Sequence, residues 1–291
     1  MIVNIGIATK GRSSILAETL RVIQSQSRLP DRVIVCPTER NDLPEDLPSV
    51  QSDRVVVVNA PLGSCSQRNR IIEASKEADI IVFIDDDFFL AADYLARVEQ
   101  IFSEHPNVVA TTGHVLADGI CGPGLTPEQG RTILASASKS ETGHAKHTYS
   151  TYGCNMAFRI QTILESGIRF DERLPMYGWQ EDVDFSRQIA QFGDVILHTG
   201  LQGVHLGHKS GRTTGLRLGY SQIANPVYLM KKGTLSHIFA IELMLRNIAM
   251  NTFKFAFPEP YVDRRGRFRG NAFALWHLLL GKLNPENVLK L

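Results

Sequence analysis

Apolar positions along the first 110 residues follow two alternating patterns. Short runs that are apolar throughout alternate with stretches in which apolar residues recur every three or four positions. The runs predict strands and the spaced stretches predict helices. Fully apolar strands are typical of a parallel sheet that helices cover on both faces. The predicted strands lie at Ile2–Ala8, Arg32–Cys36, Arg54–Asn59, Asp79–Ile84 and Val108–Thr112.

The remaining pattern predicts helices between these strands, a loop in the middle of the chain, and two helices near its end. Residues 117–150 are rich in Gly, Pro, Ser, Thr and His, which predicts a long loop. Two strongly apolar helices are predicted at Ile238–Phe257 and Ala272–Leu283. The other predicted helices are 15–23, Ser66–Ala78, 95–102 and Glu181–Phe192, and the other predicted strands are Tyr152–Phe158 and Val195–His198.

The composition is that of a globular protein with an uneven charge distribution. Of the 291 residues, 43% are hydrophobic and 21% are charged, which is enough apolar material for a sizeable core. The net charge is +1, but residues 201–291 hold 13 Lys and Arg against 4 Asp and Glu, whereas the first 200 hold 18 against 26. A basic end is typical of contact with phosphates or anionic lipid, or of a solvated basic face. We expect no nucleic-acid partner.

The cysteines and the N-terminus predict a cytoplasmic protein. Cys36, Cys65, Cys121 and Cys154 do not form a CxxC pair, so they are predicted to be reduced thiols rather than a disulfide or zinc framework. The chain opens directly on a predicted strand, so we expect no signal peptide. No apolar run reaches the ~20 residues of a membrane helix.

Three consecutive carboxylates follow a predicted buried strand. Asp85, Asp86 and Asp87 come directly after Phe83-Ile84, and ligands of open α/β sheets bind at the carboxyl ends of strands. Like charges packed together cost free energy unless a cation or hydrogen bonds neutralise them. Carboxylate oxygens suit Mg²⁺ or Mn²⁺, which bridge to substrate phosphates. A solvated acidic turn or a helix cap is the structural alternative.

Five segments in order resemble the motifs of family 2 glycosyltransferases, which have the GT-A fold. Asp85–Asp87 resembles the DxD metal motif, and Glu181-Asp182 resembles the acidic pair that carries the catalytic base. The other segments are Ile7–Arg12, which resembles the first nucleotide-binding turn, Gly63–Asn69, which resembles the glycine-to-Ala-Arg-Asn motif with Gln67 in the usual alanine place, and Gly153–Phe158, which resembles the strand beside the acceptor.

The resemblance implies an α/β fold of GT-A type: a Rossmann-like mixed, mostly parallel sheet covered by helices, with a C-terminal helical extension. The catalytic domain is expected at 1–220, with a nucleotide-sugar half at about 1–115 and an acceptor half at about 116–220. Residues 221–291 are the basic helical extension. The implied activity is metal-dependent, inverting transfer of a sugar from a nucleotide diphosphate to a carbohydrate or lipid-linked glycan. Synthesis of surface polysaccharide or exopolysaccharide is the expected setting.

The positions of the polar residues relative to the predicted strands and the family resemblance indicate the same contacts with the sugar donor. Thr9 and Arg12 follow the first strand, where contacts with base or ribose are expected, although Arg12 is also compatible with a helix-start surface residue. Lys209 and Arg212 lie in a Gly/Ser/Thr-rich loop that is predicted to cover the diphosphate, or to be exposed. The full predicted donor set is Thr9, Arg12, Glu39, Arg68, Asn69, Asp85, Asp86, Lys209 and Arg212.

Arg68 and Asn69 lie early in a predicted helix, where hydrogen-bond donors favour the binding of phosphate or of metal-ligating carboxylates. Packing of that helix is the alternative for Asn69. The expected acidic turn after the second strand is missing. Glu39 or Asp42 could replace it, so the base of the nucleotide stays open.

The predicted chemistry uses one carboxylate as a general base. Asp182 is predicted to take the acceptor proton, with Glu181 as the second choice, although acidic residues also start helices for electrostatic reasons. Asp87, Asp85 and His205 are the predicted metal ligands. A structural histidine is the alternative for His205. The predicted acceptor contacts are Asn155, Tyr177, Gly178 and Trp179.

Two other functions compete with glycosyl transfer. A nucleotidyltransferase that forms a sugar nucleotide has a similar sheet, but Thr9–Arg12 is too short for its basic phosphate loop. A non-catalytic carbohydrate- or nucleotide-binding module is the third hypothesis, and the presence of Asp87 and Asp182 argues against it.

The C-terminal extension pairs apolar helices with a basic cluster. Arg264, Arg265, Arg267 and Arg269 stand between the two apolar segments. Such a pattern predicts peripheral contact with the cytoplasmic face of a membrane, packing on the catalytic domain, or a homodimer interface.

Overall fold

The computed structural model describes residues 1–45, 54–137 and 143–291. Within these ranges, a nine-stranded sheet forms the centre, and its strands follow the order β3-β2-β1-β4-β8-β6-β9-β5, with β7 beside β9. The strands are β1 Val3–Thr9, β2 Arg32–Pro37, β3 Val55–Val57, β4 Ile80–Ile84, β5 Phe88–Leu90, β6 Val108–Asp118, β7 Ala145–His147, β8 Asn155–Arg159 and β9 Asp194–His205.

The strand directions confirm the predicted mixed sheet. The pairs β1/β2, β2/β3, β1/β4 and β6/β9 are parallel, whereas β8 runs antiparallel to both β4 and β6. The central strands β1 and β4 are buried almost throughout because their side chains are apolar on both faces.

Helices cover both faces of this sheet. In α1, the apolar residues from Ile15 to Ile23 are buried, as their helical spacing predicts. The helices are α1 Ser13–Gln24, α2 Ser64–Ala74, α3 Tyr94–Glu104, α4 Pro127–Ser136, α5 Ile160–Ser166, α6 Glu181–Ile189, α7 Gly215–Lys232, α8 His237–Phe253 and α9 Arg264–Leu279.

The predicted long loop at 117–150 contains regular structure. The strand β6 continues to Asp118, and helix α4 begins after Thr126. Thr126 accepts the amide of Gln129, and the Gln129 side chain accepts the amide of Thr126. This capping box starts a helix that the Gly- and Ser-rich composition concealed. Residues 138–142 of the predicted loop lie outside the described ranges.

The C-terminal region consists of three packed helices. Helix α7 was not predicted, because Gly219, Asn225 and Pro226 interrupt its apolar pattern. The predicted boundary at 220 falls inside this helix. The four arginines lie within α9 rather than before it. Across the described ranges, no helix has the combined length and apolarity needed to cross a bilayer.

Candidate active site

The acidic run lies where two neighbouring strands end. Asp85–Asp87 follows β4, and Thr9 closes β1 beside it. The strands β2 and β4 flank β1 on opposite sides. The connection after β1 therefore runs to one side of the sheet, whereas the chain after β4 continues on the other side. Such a switch point opens the crevice in which α/β sheets bind ligands. His205 closes β9 and pairs with Phe88, which brings it to the same crevice.

Asp85, Asp87 and His205 converge as the sequence predicted. Nε2 of His205 lies 3.4 Å from Oδ1 of Asp87 and 3.8 Å from Oδ2 of Asp85. One ligand atom from each of the three side chains lies within 4.8 Å of the others. Two carboxylates and one imidazole suit Mn²⁺ or Mg²⁺, since both cations prefer oxygen and Mn²⁺ accepts imidazole.

Asp87 shows that these residues fit a cation. Its side chain is fully buried, and Oδ1 has no hydrogen-bond partner, while Oδ2 accepts the His208 amide at 2.7 Å. A buried carboxylate oxygen without a partner costs free energy, which a divalent cation at this point would recover. Burial opposes ionisation, but His205 and Arg12 hold the pKa of Asp87 well below its usual range. The carboxylate is therefore available as a ligand.

A second carboxylate orients the histidine. Oδ1 of Asp118 lies 2.9 Å from Nδ1 of His205, and the Tyr152 hydroxyl donates to Oδ2 at 2.8 Å. Burial disfavours the charged imidazole, but Asp118 and Asp87 raise the pKa of His205 to about 10. A carboxylate on the second ring nitrogen is the common support of a metal-bound histidine.

Sequence reasoning missed Asp118. It lay in the predicted loop, and only the pairing of β6 with β9 places it opposite His205.

Asp86 has a different environment from its neighbours. The Thr9 hydroxyl donates to Oδ2 of Asp86 at 2.6 Å, and Nη1 of Arg12 donates to Oδ1 at 2.8 Å. Nη1 of Arg12 also lies 3.4 Å from Asp87. Asp86 therefore connects the first turn to the acidic run through Thr9 and Arg12.

The loop at 207–212 covers one side of the crevice. Nε of Arg12 donates to the Ser210 carbonyl at 2.8 Å, and Gly211, with φ of +68°, lies so close to Lys10 that no side chain would fit. Nζ of Lys209 donates to the Gly119 carbonyl at 3.0 Å. Arg212 donates to backbone carbonyls of the same loop. Burial and Arg212 lower the pKa of Lys209 to about 8. This pairing of close cations would suit an anionic ligand.

The two acidic residues at the start of α6 have different environments. Glu181 is buried and forms an ion pair with Arg68, which lies 3.5 Å from Asp85. Asp182 is half-buried, and its Oδ2 accepts the Gly153 amide at 2.9 Å. Burial raises the pKa of Asp182, although this hydrogen bond opposes the shift. Glu181 thus orients Arg68 toward the acidic run. Asp182 is the less buried residue of the two, and its Oδ1 accepts the Val183 amide at 2.8 Å.

Two predicted donor residues lie apart from the carboxylates. The Asn69 side chain is buried, donates to the Phe170 carbonyl at 2.9 Å and accepts the Phe170 amide at 2.9 Å. It therefore holds α2 to the chain before α6, which is the packing alternative. Glu39 is exposed, whereas Asp42 is buried and accepts the amides of Gly11 and Thr38.

The predicted acceptor residues differ in exposure: Asn155 and Gly178 are buried, Trp179 is half-buried and Tyr177 is exposed. Asn155 pairs with Ile84, and its buried Nδ2 has no hydrogen-bond partner. Tyr177 is 52% exposed, so its ring is available to a ligand. Gly178 has φ of +64°, and the Trp179 carbonyl accepts from Asn225 of α7 at 2.8 Å. The loop at 177–179 is thereby attached to helix α7 of the C-terminal region.

Solved structures with the same architecture are GT-A glycosyltransferases. A mannosyltransferase from Pyrobaculum calidifontis, solved with GDP-Man and Mn²⁺, is 15% identical with a TM-score of 0.57, covering 94% of this chain and 87% of that one. GalNAc-T7, solved with UDP, GalNAc and Mn²⁺, is 14% identical with a TM-score of 0.59, covering 97% and 57%. TarS of S. aureus is 15% identical with a TM-score of 0.55, covering 88% of this chain and 44% of that chain.

These likenesses define the class of fold. The family model described as glycosyltransferase-like family 2 matches residues 3–197. The chain belongs to this family. A glucosyl-dolichyl phosphate glucuronosyltransferase from Haloferax volcanii is 24% identical over 159 residues, which cover 52% of this chain. The chain spans 50% of the length of that relative.

Proposed function

We propose that this chain transfers a sugar, with inversion, from a nucleotide diphosphate to a hydroxyl of a lipid-linked glycan. The observation that carries the proposal is the convergence of Asp85, Asp87 and His205 near Asp182. Asp182 accepts the amide of Gly153, and Arg68, which donates to the carbonyl of Gly153, lies 3.5 Å from Asp85. A divalent cation held by the three ligands would neutralise the charge that develops on the diphosphate. Mn²⁺ is our first choice because the histidine is included.

The donor side of the crevice supplies positive charge for the diphosphate. Arg12, Lys209 and Arg212 belong to the first turn and to the loop that covers it. Thr9 stands at the end of β1, in position for the nucleoside. These contacts would hold the donor with its anomeric carbon toward Asp182, and would keep water from the reacting atoms.

The acceptor side completes a single displacement. The acceptor oxygen attacks the anomeric carbon while the bond from that carbon to the diphosphate oxygen breaks. The acceptor proton moves to the Asp182 carboxylate, and the nucleoside diphosphate leaves with the bonding electron pair. Burial raises the pKa of Asp182, which makes it a stronger base than an exposed aspartate. Glu181 is the weaker candidate because Arg68 already occupies its carboxylate.

A lipid-linked acceptor is the finer part of the proposal. The relative from Haloferax volcanii is named for transfer to a sugar that a dolichyl phosphate carries, and it is similar to half of this chain. We place the reaction at the cytoplasmic face of a membrane, in synthesis of a surface glycan.

A donor screen tests the proposal. Purified protein with Mn²⁺ and radiolabelled nucleotide sugars should move label to a lipid-linked glycan, and EDTA should stop the transfer. Release of pyrophosphate from a nucleoside triphosphate and sugar phosphate would instead show the nucleotidyltransferase. Binding without turnover across all donors would show the non-catalytic module.

A further inference from the structure

Helices α8 and α9 pack against α7 and form a hairpin whose buried side combines a small apolar cluster, which includes Ile248 and Ala274, with a network of amides. Asn251 of α8 and Asn271 of α9 are both buried, and Nδ2 of Asn251 donates to Oδ1 of Asn271 at 2.9 Å. Nδ2 of Asn251 also lies 2.9 Å from Oε1 of Gln222 on α7. Nη1 of Arg264 donates to Oδ1 of Asn251 at 3.2 Å. The hydrogen-bonding groups of the hairpin are thus used inside, between the three helices.

The opposite side of the hairpin is apolar and exposed. Along α9, Arg265, Arg269, Phe273, Trp276 and Leu280 recur at i, i+4, i+8, i+11 and i+15, which places them on one helix face. The exposed apolar side chains include Ile238 at 83%, Leu245 at 60%, Phe253 at 80%, Phe257 at 85%, Trp276 at 58% and Leu279 at 80%.

Both helices turn this apolar side away from the rest of the chain. The inner side of α8 reaches α7 through Asn247 and Asn251, both of which bond Gln222. The inner side of α9 reaches α7 through Asn271, which donates to the Gly219 carbonyl at 2.7 Å. Because both inner sides face the same helix, both outer sides point away from it. We call these two outer sides together the hairpin outer face.

Positive charge borders the hairpin outer face. Arg265 and Arg269 are exposed on α9, in line with the apolar residues. Nε of Arg265 lies 3.4 Å from the Phe255 carbonyl, and its guanidinium lies 5.9 Å from the centre of the Phe255 ring. Arginine beside exposed aromatic side chains suits the boundary between lipid headgroups and acyl chains.

We propose that the hairpin outer face binds the surface of an anionic membrane. A membrane supplies both an apolar layer for Trp276 and Leu279 and negative headgroups for Arg265 and Arg269. A symmetric dimer through this face would gather two exposed arginines from each copy at one interface, and like charges gathered at an interface oppose association. Charge therefore favours a lipid surface over a second copy of the chain.

The inference rests on the proposed function, because it gives the hairpin a role in that reaction. The hairpin adjoins the crevice. Nζ of Lys209 lies 5.6 Å from the centre of the Tyr261 ring, in the segment that joins α8 to α9. Asp263 of the same segment lies against Gly215, which starts α7. A membrane at the hairpin would thus lie next to the loop at 207–212, which covers one side of the crevice.

Co-sedimentation with vesicles tests this inference. The full chain should pellet with equimolar phosphatidylcholine and phosphatidylglycerol, and less with phosphatidylcholine alone or with added salt. The double variant Arg265→Gln/Arg269→Gln should bind ~25-fold more weakly, which corresponds to ~1 kcal/mol per charge. Trp276→Glu/Leu279→Glu should stay in the supernatant. The matched control is Phe192→Glu, which alters an aromatic residue that is 54% exposed on the catalytic domain and should bind as the wild type.

Two results would overturn the inference. The first is wild-type protein that remains in the supernatant at low salt. The second is a dimer, measured by light scattering, that Trp276→Glu/Leu279→Glu converts to a monomer. Both double variants should retain transfer to a soluble acceptor glycan. Loss of transfer in the wild type would count against the proposed function alone, since vesicle binding needs no turnover.

Discussion

In the α/β domain, apolar side chains lie inside and charged groups gather at one edge of the sheet. The C-terminal hairpin instead buries a network of amides beside a small apolar cluster and leaves large apolar side chains exposed. The acidic crevice is a place where buried charge needs a ligand, as the unpartnered Oδ1 of Asp87 shows. The hairpin leaves apolar area without cover, although Asn251 and Asn271 are satisfied. A buried polar atom without a partner thus indicates a small charged ligand, whereas an exposed apolar surface indicates a large apolar partner.

The largest effect is expected from Asp87→Asn. It removes a ligand of the cation and unbalances the buried charges around Arg12, so transfer should fall by more than ~10³-fold, since a Lewis acid contributes several kcal/mol. Steady-state transfer with and without Mn²⁺ measures this. Circular dichroism should show an intact fold. A variant that transfers sugar at the wild-type rate would remove the metal from the account.

The next effect concerns the base. Asp182→Asn should lose ~10²–10⁴ in kcat while donor binding persists, because the residue faces the acceptor. Glu181→Gln is the comparison, and a larger loss there would exchange the two roles.

The same carboxylate sets the acid side of the pH dependence. Burial raises the pKa of Asp182, and the base acts only when ionised. The rate should therefore fall as the pH drops, starting at a higher pH than for an ordinary aspartate. A pH–rate profile measures this, and a flat profile down to pH values near an ordinary aspartate pKa would contradict it.

A smaller effect is expected from Asp118→Asn. The amide cannot orient His205 as the carboxylate does, so Mn²⁺ affinity should fall ~10–100-fold. Rate measured against Mn²⁺ concentration reveals the shift, and saturating Mn²⁺ should restore most of the activity. Wild-type affinity for Mn²⁺ in this variant would restrict Asp118 to a packing role.

The smallest effect is expected in the hairpin, where a buried amide is compared with an exposed apolar side chain. Asn251→Ala removes the donor to Oε1 of Gln222 and to Oδ1 of Asn271, both of which are buried, and this loss should cost ~1–3 kcal/mol of unfolding free energy. Phe253→Ser, two positions away on the exposed side, should change it by less than ~0.5 kcal/mol. Urea unfolding compares the two. Equal losses would mean that the outer face is covered within the protein.

The sequence predicted those features that depend on local pattern. The strands before Asp85 and His205 are apolar runs, and the residues that end them are recognisable as polar interruptions. Asp118 and the role of Glu181 depend on pairing between distant segments, which no local period encodes. Helix α7 was missed because Gly219 and Pro226 lower its helix propensity, although packing against α9 stabilises it.

The exposure of the hairpin also could not be predicted from the sequence. An apolar helix reads the same whether its outer side is buried or free, and only the polar contacts of Asn251 show which side turns inward.

The central claim is that Asp85, Asp87 and His205 hold a divalent cation for the donor while Asp182 serves the acceptor. Electron paramagnetic resonance of Mn²⁺, titrated with nucleoside diphosphate into three proteins, tests it most directly. Wild type and Asp182→Asn should each bind one Mn²⁺ per chain, Asp87→Asn should not, and only the wild type should transfer sugar. Equal Mn²⁺ binding by Asp87→Asn, or undiminished transfer by Asp182→Asn, would contradict the account.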